Sequence, residues 1–280
     1  MNEQGSWALR THAKINLGLK VLGKRDDGFH ELITLMHEID LHDCLEVRAS
    51  EKDELKISGI NLAVEEDNLL FKVMEKLRGR GHQIGSLALN LHKRIPIGGG
   101  LGGGSSNAIG LLNLLGDQLG LADVELDEIA AELGSDTNFF LKGGSSICHG
   151  RGEKVEMLPD QNWFFNLLLP KVSCSTPVVF SKYKHREGLS EVDFEHCWRE
   201  GSNFGHNDLL EPCCRAYPMM ERLFGQAEEK TISLFLSGSG STCFTLHSTR
   251  EERDQVKEKI KSWGPDVNLI GAQSYRRGLA

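Results

Sequence analysis

Apolar residues recur along the chain with two different spacings, and these spacings predict strands and helices. Alternating or short continuous apolar runs predict strands at residues 14–22, 32–39, 44–49, 87–95, 164–169, 233–236 and 242–246. Apolar residues three or four positions apart predict helices at residues 69–77, 108–119, 126–133, 208–224 and 250–263. Strands and helices alternate in both halves, so we predict two α/β or α+β domains, residues 1–155 and 156–280.

Charge and length narrow the class of protein. The 280 residues include 32 Lys and Arg against 40 Asp and Glu, a net charge of −8, and an acidic balance argues against a nucleic-acid binder. No apolar run has the length of a membrane span, and the first residues lack the apolar stretch of a signal peptide. We therefore expect a cytoplasmic protein without nucleic-acid or membrane partners, and the sequence leaves monomer and homodimer open.

The metal-ligating residue types form no metal motif. The seven cysteines are odd in number and contain no CxxC pair, which indicates reduced, buried thiols. His37, Glu38 and His42 resemble a zinc-protease signature, but the two histidines are five residues apart. Because four residues are needed to place both rings on one helix face, we reject zinc and predict no protein-built metal centre.

Glycine is concentrated in one segment. The chain has 31 Gly, and six of the seven positions from 98 to 104 are Gly, between a predicted strand and a predicted helix. Glycine lets backbone N–H groups converge on an anion, and a helix N-terminus adds unpaired donors. The segment is therefore predicted to bind phosphate. Ser105 or Ser106 is predicted to cap the helix and to offer a hydroxyl to phosphate or Mg²⁺.

Two common nucleotide-binding loops fit this segment poorly. No Lys follows the glycines, which argues against a P-loop NTPase, and the absence of HRD and DFG motifs excludes a protein kinase. Gly98, Gly100 and Gly103 do satisfy GxGxxG, and Asp123 lies about 20 residues downstream. A dinucleotide-dependent dehydrogenase thus remains an alternative, although Asp123 follows a predicted helix rather than a strand.

Several segments together resemble one enzyme family. PIGGGLGGGSSNA at residues 96–108 resembles the phosphate motif of the GHMP kinases, and HAKINLGL (12–19) and LSGSGST (236–242) resemble their first and third motifs. The set also includes KRDDGFHEL (24–32), GSDTNFFL (134–141), GRGE (150–153), TPVVF (176–180) and NDLLEP (207–212). Within the superfamily this set is most similar to the 4-diphosphocytidyl-2-C-methyl-D-erythritol kinases.

The resemblance implies a fold and a reaction. The fold would be the two-domain α+β GHMP kinase fold, with an N-terminal domain like ribosomal protein S5 domain 2 and a ferredoxin-like C-terminal domain. The reaction would transfer the γ-phosphoryl of ATP, with Mg²⁺, to the 2-hydroxyl of 4-(cytidine 5'-diphospho)-2-C-methyl-D-erythritol in non-mevalonate isoprenoid synthesis. A homoserine or mevalonate kinase and an inactive nucleotide-binding module stay as alternatives. Retention of Lys14 and Asp136 speaks against the inactive module.

The resemblance also assigns the catalytic and ATP-binding residues. Asp136 matches the catalytic aspartate, which accepts or orients the hydroxyl proton, and Lys14 matches the catalytic lysine, which stabilises negative charge. Asn68 and Lys93 match positions near the adenine and ribose. The residues matching the phosphate loop are Pro96, Ile97, Gly98, Gly99, Gly100, Leu101, Gly102, Gly103, Gly104, Ser105 and Ser106.

The remaining implied contacts are to the cytidine substrate. Phe29 and Phe180 match two aromatics that sandwich the cytosine, and His30 matches the residue that reads its polar edge. The other implied substrate-binding residues are Asn16, Thr176, Ser239 and Gly240, the last two in a third glycine loop expected beside the phosphate loop.

Two positions depart from the family pattern. Phe29 stands where the family often has Tyr, so a hydroxyl is lost. Thr137 and Asn138 stand where a Val-Pro pair is frequent, which we expect to loosen the turn after Asp136.

Overall fold

The computed structural model describes residues 5–59, 68–184, 192–264 and 266–275. Its strands are β1 (Ser6–Lys24), β2 (His30–Ala49), β3 (Glu54–Ser58), β4 (Leu87–His92), β5 (Ser145–Gly150), β6 (Lys154–Met157), β7 (Phe164–Pro170), β8 (Phe235–Leu236), β9 (Cys243–His247) and β10 (Val267–Gln273). Its helices are α1 (Leu69–Gly79), α2 (Gly103–Leu119), α3 (Asp123–Leu133), α4 (Thr137–Lys142), α5 (Thr176–Lys182), α6 (Phe194–Glu200), α7 (Leu210–Ala216), α8 (Pro218–Glu229) and α9 (Arg250–Lys261).

The chain forms two compact units, and each is built from separate segments. Unit 1 comprises Met1–Ala13, Leu41–Pro96 and Gly102–Lys142, and unit 2 comprises Lys14–Asp40, Ile97–Leu101 and Gly143–Ala280. The long strands β1 and β2 contribute residues to both units. Because the units are discontinuous, the division into residues 1–155 and 156–280 stays a prediction.

Unit 1 is a small sheet with helices. In it β4 pairs in parallel with β3 and antiparallel with the C-terminal part of β2. The helix α1 connects β3 to β4, which makes a βαβ unit. The face predicted for α1 is the buried one, with Leu70, Val73, Met74 and Leu77 all inside. These apolar side chains supply the transfer free energy that holds the helix in place.

Unit 2 contains a separate antiparallel sheet in the order β10-β7-β9-β8. Helices α5 to α8 lie between β7 and β8 in sequence, and α9 lies between β9 and β10. This βαββαβ succession is the ferredoxin-like arrangement. The ferredoxin-like C-terminal domain implied by the resemblance is therefore confirmed. In the same unit the N-terminal part of β2 pairs with β5, and β5 pairs with β6.

Three local predictions were wrong for identifiable reasons. The single helix predicted at residues 208–224 is two helices, α7 and α8, because Pro218 cannot continue a helix and instead begins α8. The strands predicted at 32–39 and 44–49 are one strand, β2, that continues through polar residues. Neither Ser105 nor Ser106 caps α2, which begins at Gly103 after Gly102.

A buried histidine makes the stability of unit 2 dependent on pH. His37 lies between the hydroxyls of Ser145 and Ser274, at 2.8 and 2.7 Å from its two ring nitrogens. Complete burial lowers the pKa of His37 from 6.5 to about 3. Below pH 6.5 the His37 imidazole is protonated in the unfolded chain but stays neutral in the folded chain. Lowering the pH therefore favours the unfolded state.

We expect the free energy of unfolding to fall by about 2 kcal/mol more between pH 7 and pH 5 in the wild type than in His37→Gln. Denaturant titrations at the two pH values measure this difference. The exposed His196 provides the control, because His196→Gln should keep the wild-type pH dependence. Equal pH dependence in wild type and His37→Gln would contradict the assignment.

Candidate active site

The glycine-rich loop has an alternating backbone conformation. Gly98, Gly100 and Gly102 have φ values of +71°, +74° and +72°, so every second residue is left-handed. Alternation of this kind is the backbone pattern of the concave nests that bind anions through successive N–H groups. Only glycine adopts these φ values without strain, which explains why the composition is so biased here. The geometry fits a phosphate group.

In unit 2 the first half of this loop packs against the third glycine loop. A Cβ on Gly100 would lie 3.2 Å from the carbonyl oxygen of Gly240 and 3.3 Å from that of Ser237. A Cβ on Gly99 would lie 2.7 Å from Oγ1 of Thr242, whose backbone N–H donates to Gly99 O. The two backbones therefore approach closely only because side chains are absent, which is the arrangement predicted for these loops.

One buried polar atom at this contact is unsatisfied within the described part of the chain. The hydroxyl of Thr242 is buried and has no hydrogen-bond partner there. Leaving a buried hydroxyl unpaired costs free energy, about 1–3 kcal/mol. Its position against Gly99 is consistent with a loop that binds a polar group.

Lys14 lies on β1 in unit 2 and is held by its neighbours. Its side chain is buried, and Nζ donates to Oδ1 of Asn16 over 2.7 Å. Nδ2 of Asn16 donates to Oγ1 of Thr34 over 2.8 Å, and its backbone N–H donates to Oγ of Ser237 over 3.0 Å. The backbone N–H of Lys14 donates to the carbonyl of Leu101, the last residue of the loop in this unit. The predicted residues Lys14 and Asn16 thus meet the glycine loop and the third motif.

In unit 1 the second half of the loop becomes the N-terminus of α2. Gly102 is the N-cap in a left-handed conformation and has no side chain to cap the helix. The N–H groups of the first turn are therefore available to an anion, and the helix dipole favours negative charge there. The Ser106 hydroxyl is on a nearly buried residue of this first turn.

Lys93 lies beside this helix start, where it is part of a buried polar cluster. Its ammonium lies 2.5 Å from Oδ2 of Asp43, and 3.0 Å from the position of a Cβ on Gly103. Asn107 donates to the same carboxylate oxygen over 3.0 Å and to Thr11 over 2.6 Å. The other oxygen of Asp43 accepts the backbone N–H groups of residues 94 and 95. Lys93 therefore anchors β4 to α2, and its contact with adenine or ribose stays a prediction.

Asn68, the other residue predicted to lie near the adenine and ribose, is the N-cap of α1. Its Oδ1 accepts the N–H of Leu70 over 3.0 Å, which explains why the helix begins here. The next residue, Leu69, lies 3.8 Å from the position of a Cβ on Gly104. Asn68 is thus one residue from a contact with the start of α2, and its predicted contact with the nucleotide stays a prediction.

Asp136 immediately precedes α4 in unit 1 and is half-buried. Its carbonyl accepts the N–H of Phe140. A Cβ on Gly134, two residues earlier, would lie 3.9 Å from Oγ of Ser105 on the first turn of α2. The segment that carries Asp136 therefore lies close to the N-terminal end of α2.

The aromatic residues predicted for the cytosine lie in unit 2, but their present contacts differ from a sandwich. The ring of His30 stacks on Phe180 with centroids 4.6 Å apart. Phe29 is 51% exposed, and the guanidinium of Arg151 lies 4.7 Å above its ring. Burial, together with the charge of Lys24, lowers the pKa of His30. A neutral imidazole can both donate and accept, as recognition of a base edge requires.

Thr176 and Ser239 are also brought together. Their hydroxyls lie 2.7 Å apart, which joins the first residue of α5 to the third glycine loop. Gly240 follows in this loop with φ of +87°.

Sequence comparisons identify the family. The GHMP kinases N terminal domain matches residues 68–144, and the GHMP kinases C terminal region matches residues 196–266. A 4-diphosphocytidyl-2-C-methyl-D-erythritol kinase of Persephonella marina is 32% identical over 269 residues, which cover 91% of this chain and 96% of the relative. The chain belongs to the 4-diphosphocytidyl-2-C-methyl-D-erythritol kinase family.

Solved structures agree with membership of this family. A crystal structure of a 4-(cytidine 5'-diphospho)-2C-methyl-D-erythritol kinase superimposes with a TM-score of 0.79 at 29% identity, covering 96% of this chain and all of that one. Homoserine kinase from Cytophaga hutchinsonii shares the fold with a TM-score of 0.67 at 16% identity, covering 98% and 96%. The GHMP kinase fold is confirmed.

Membership of this kinase family rejects the alternative of a dinucleotide-dependent dehydrogenase. Asp123 is the first residue of α3 and directly follows α2 and a short turn, so it ends no strand.

The described residues contain no group of three or more His, Cys, Asp or Glu side chains suited to a metal ion. They also include no helix long and apolar enough to cross a membrane.

The turn after Asp136 shows how this member of the family replaces the frequent Val-Pro pair. The hydroxyl of Thr137 lies 2.5 Å from Ala130 O and 2.6 Å from Gly134 O, and can donate to either. The side-chain amide of Asn138 donates to Asp127 O over 3.0 Å. These bonds tie the turn to α3, so the loosening expected from the sequence is opposed by side-chain hydrogen bonds.

Sequence reasoning missed several residues around the site. Thr34 and Asp43 carry no motif signal, because their roles depend on partners far along the chain. Asn207 belongs to the NDLLEP segment that supported the family resemblance, but it was not predicted as a site residue.

Proposed function

We propose that this protein phosphorylates the 2-hydroxyl of 4-(cytidine 5'-diphospho)-2-C-methyl-D-erythritol with ATP. The observation that carries the proposal is the glycine loop, with its alternating left-handed residues leading into the N-terminus of α2. The family relationship, over nine-tenths of the chain, supports this substrate over those of other GHMP kinases.

We propose the catalytic roles by resemblance to the family. Asp136 accepts or orients the proton of the attacking hydroxyl, because a carboxylate is a suitable base for it. Lys14 stabilises negative charge on the transferring phosphoryl group. The bond from Lys14 to Asn16 supports this role, because a fixed cation needs no reorganisation during the reaction. Catalysis then rests mainly on positioning and charge neutralisation, as is usual for phosphoryl transfer.

The hydrogen-bond donors of the glycine loop suit the phosphates of ATP. Backbone N–H groups of residues 98–105 would bind the phosphates, and GHMP kinases use ATP. Mg²⁺ is part of the proposal: it would be held by the nucleotide phosphates, water and a hydroxyl such as that of Ser106, since hard oxygen ligands suit this ion. When bound, Mg²⁺ would neutralise phosphate charge.

A coupled assay tests the reaction directly. The protein is incubated with ATP, Mg²⁺ and the cytidine-diphospho substrate, and ADP release is followed, with homoserine and mevalonate as alternative acceptors. We expect ADP only with the cytidine-diphospho substrate. Turnover of homoserine or mevalonate without turnover of that substrate would reject the proposal in favour of another GHMP kinase.

The proposed cytosine site makes a separate prediction. In Phe29→Ala we expect KM for the cytidine substrate to rise about tenfold, because one stacked ring contributes about 1–3 kcal/mol, while KM for ATP stays unchanged. Steady-state kinetics with each substrate varied in turn measures both. Phe29→Tyr keeps the ring and should stay close to the wild type. An unchanged KM in Phe29→Ala would remove Phe29 from the site.

We also propose a cytoplasmic location. All seven cysteines are free thiols, which is compatible with a reducing compartment. Monomer and homodimer both remain compatible with the proposed reaction.

A further inference from the structure

The NDLLEP segment at residues 207–212 is fixed against β1 in unit 2. The N–H of Leu19 donates to His206 O over 2.8 Å, and the N–H of Asp208 donates to Leu19 O over 3.1 Å. A carboxylate oxygen of Asp208 accepts the N–H of Val21 over 2.8 Å. Backbone and side-chain bonds on both sides of Asn207 therefore hold its backbone in place.

The side chain of Asn207 makes three hydrogen bonds, which use both of its donor hydrogens and its carbonyl oxygen. Its two Nδ2 hydrogens go to the carbonyls of Leu236 and Gly238, each over 2.9 Å. Its Oδ1 accepts the N–H of Leu209, also over 2.9 Å. An Asp at this position could not donate to the two carbonyls, and its charge would face them. The two carbonyls and the N–H group around this side chain thus require two donors and one acceptor, which the amide of Asn provides.

The two carbonyls flank Ser237, and Ser237 leads to Lys14. Oγ of Ser237 accepts the N–H of Asn16, and Oδ1 of Asn16 accepts Nζ of Lys14. Gly238 also limits the loop, because a Cβ there would lie 3.1 Å from that same Oδ1. Any shift of the loop is therefore transmitted through Asn16 to the ammonium group.

We infer that Asn207 is a positioning residue for Lys14: it holds the third glycine loop so that Ser237 and Asn16 fix the lysine ammonium. The inference rests on the proposed function, in which Lys14 stabilises the transferring phosphoryl group. Asn207 has no catalytic role of its own in this scheme.

A double-mutant cycle tests the inference. In Asn207→Asp we expect kcat to fall about ten- to a hundredfold with KM for ATP within about twofold, because misplacing a catalytic group by about 1 Å has that effect. In a Lys14→Met background the same substitution should cause no further loss, because it acts through Lys14. Equal losses in both backgrounds would show a general structural effect and overturn the inference.

Two further variants keep this test informative. Asn203→Asp makes the same chemical change at an exposed residue four positions away, and its kcat should equal that of the wild type. Ser237→Ala interrupts the same connection and should show the same dependence on Lys14. It replaces Asn207→Asp in the cycle if that variant does not fold.

An NMR measurement separates this inference from the proposed reaction. The ammonium signal of Lys14, assigned by its loss in Lys14→Met, should shift in Asn207→Asp, or in Ser237→Ala, and stay in place in Asn203→Asp. If the wild type proves inactive on the cytidine substrate, the proposed function fails and this signal still decides the inference. An unshifted signal overturns it.

Discussion

Asp136→Asn is expected to lower kcat by about 10³-fold, because the amide cannot accept the hydroxyl proton and general base catalysis contributes about 10²–10⁴-fold. Asn has nearly the same volume as Asp, and the turn is held by bonds from Thr137 and Asn138 that do not use the Asp136 carboxylate. We therefore expect the affinity for ATP to stay close to that of the wild type. Single-turnover kinetics and nucleotide titration measure the two quantities separately.

Asp117 offers a matched control for this prediction. It is an exposed carboxylate near the C-terminal end of α2, in the same unit as Asp136. Asp117→Asn therefore makes the same chemical change at a residue that is not predicted to take part in the reaction. Its kcat should equal that of the wild type. A rate for Asp136→Asn within about threefold of this control would remove Asp136 from the mechanism, since a proton-accepting role predicts a far larger loss.

Gly100→Ala is expected to weaken ATP binding by about ten- to a hundredfold. An L-residue at φ of +74° carries about 1–3 kcal/mol of strain. The added methyl group would also lie 3.2 Å from the carbonyl of Gly240, so the loop must move and its N–H groups lose their convergence. Calorimetric titration with an ATP analogue gives the affinity, and thermal unfolding gives the stability.

Gly81→Ala separates strain from displacement of the loop. Gly81 has φ of +90° but no atom within 4 Å of its Cβ position, so this variant carries backbone strain without a collision. It should lose stability, about 1–3 kcal/mol, and keep the wild-type affinity for ATP. If Gly100→Ala bound ATP as well as Gly81→Ala does, the loop would not be the phosphate site.

The start of α2 shows where prediction from sequence succeeds and where it fails. The strand, glycine run and helix were correctly placed in order, because they depend on local spacing and on the special conformations of glycine. The first helical residues were missed because glycine is a poor helix former and serine a good cap. Here the left-handed Gly102 is the N-cap and the helix begins at Gly103, so the start is set by the loop conformation rather than by helix propensity.

Most of the site contacts that could not be predicted join residues that are far apart in the sequence. Lys93 and Asp43 are 50 residues apart, and nothing in the local pattern of either indicates a buried ion pair. The bond from Asn16 to Ser237 spans 221 residues. Motif resemblance singled out Lys93 but not Asp43, and its motifs include both Asn16 and Ser237, but it indicated neither contact. The missed strand β10 has a different cause, since Asn268 and Gly271 weaken its strand pattern.

The course of β1 and β2 restricts how this chain could be divided or exchanged in evolution. Each strand begins in one compact unit and ends in the other, and the glycine loop also changes unit between Leu101 and Gly102. No single break in the polypeptide separates the units, so neither could be inherited or recombined as one continuous gene segment. Substrate specificity in such a protein is expected to diverge by point substitution and loop variation rather than by exchange of modules.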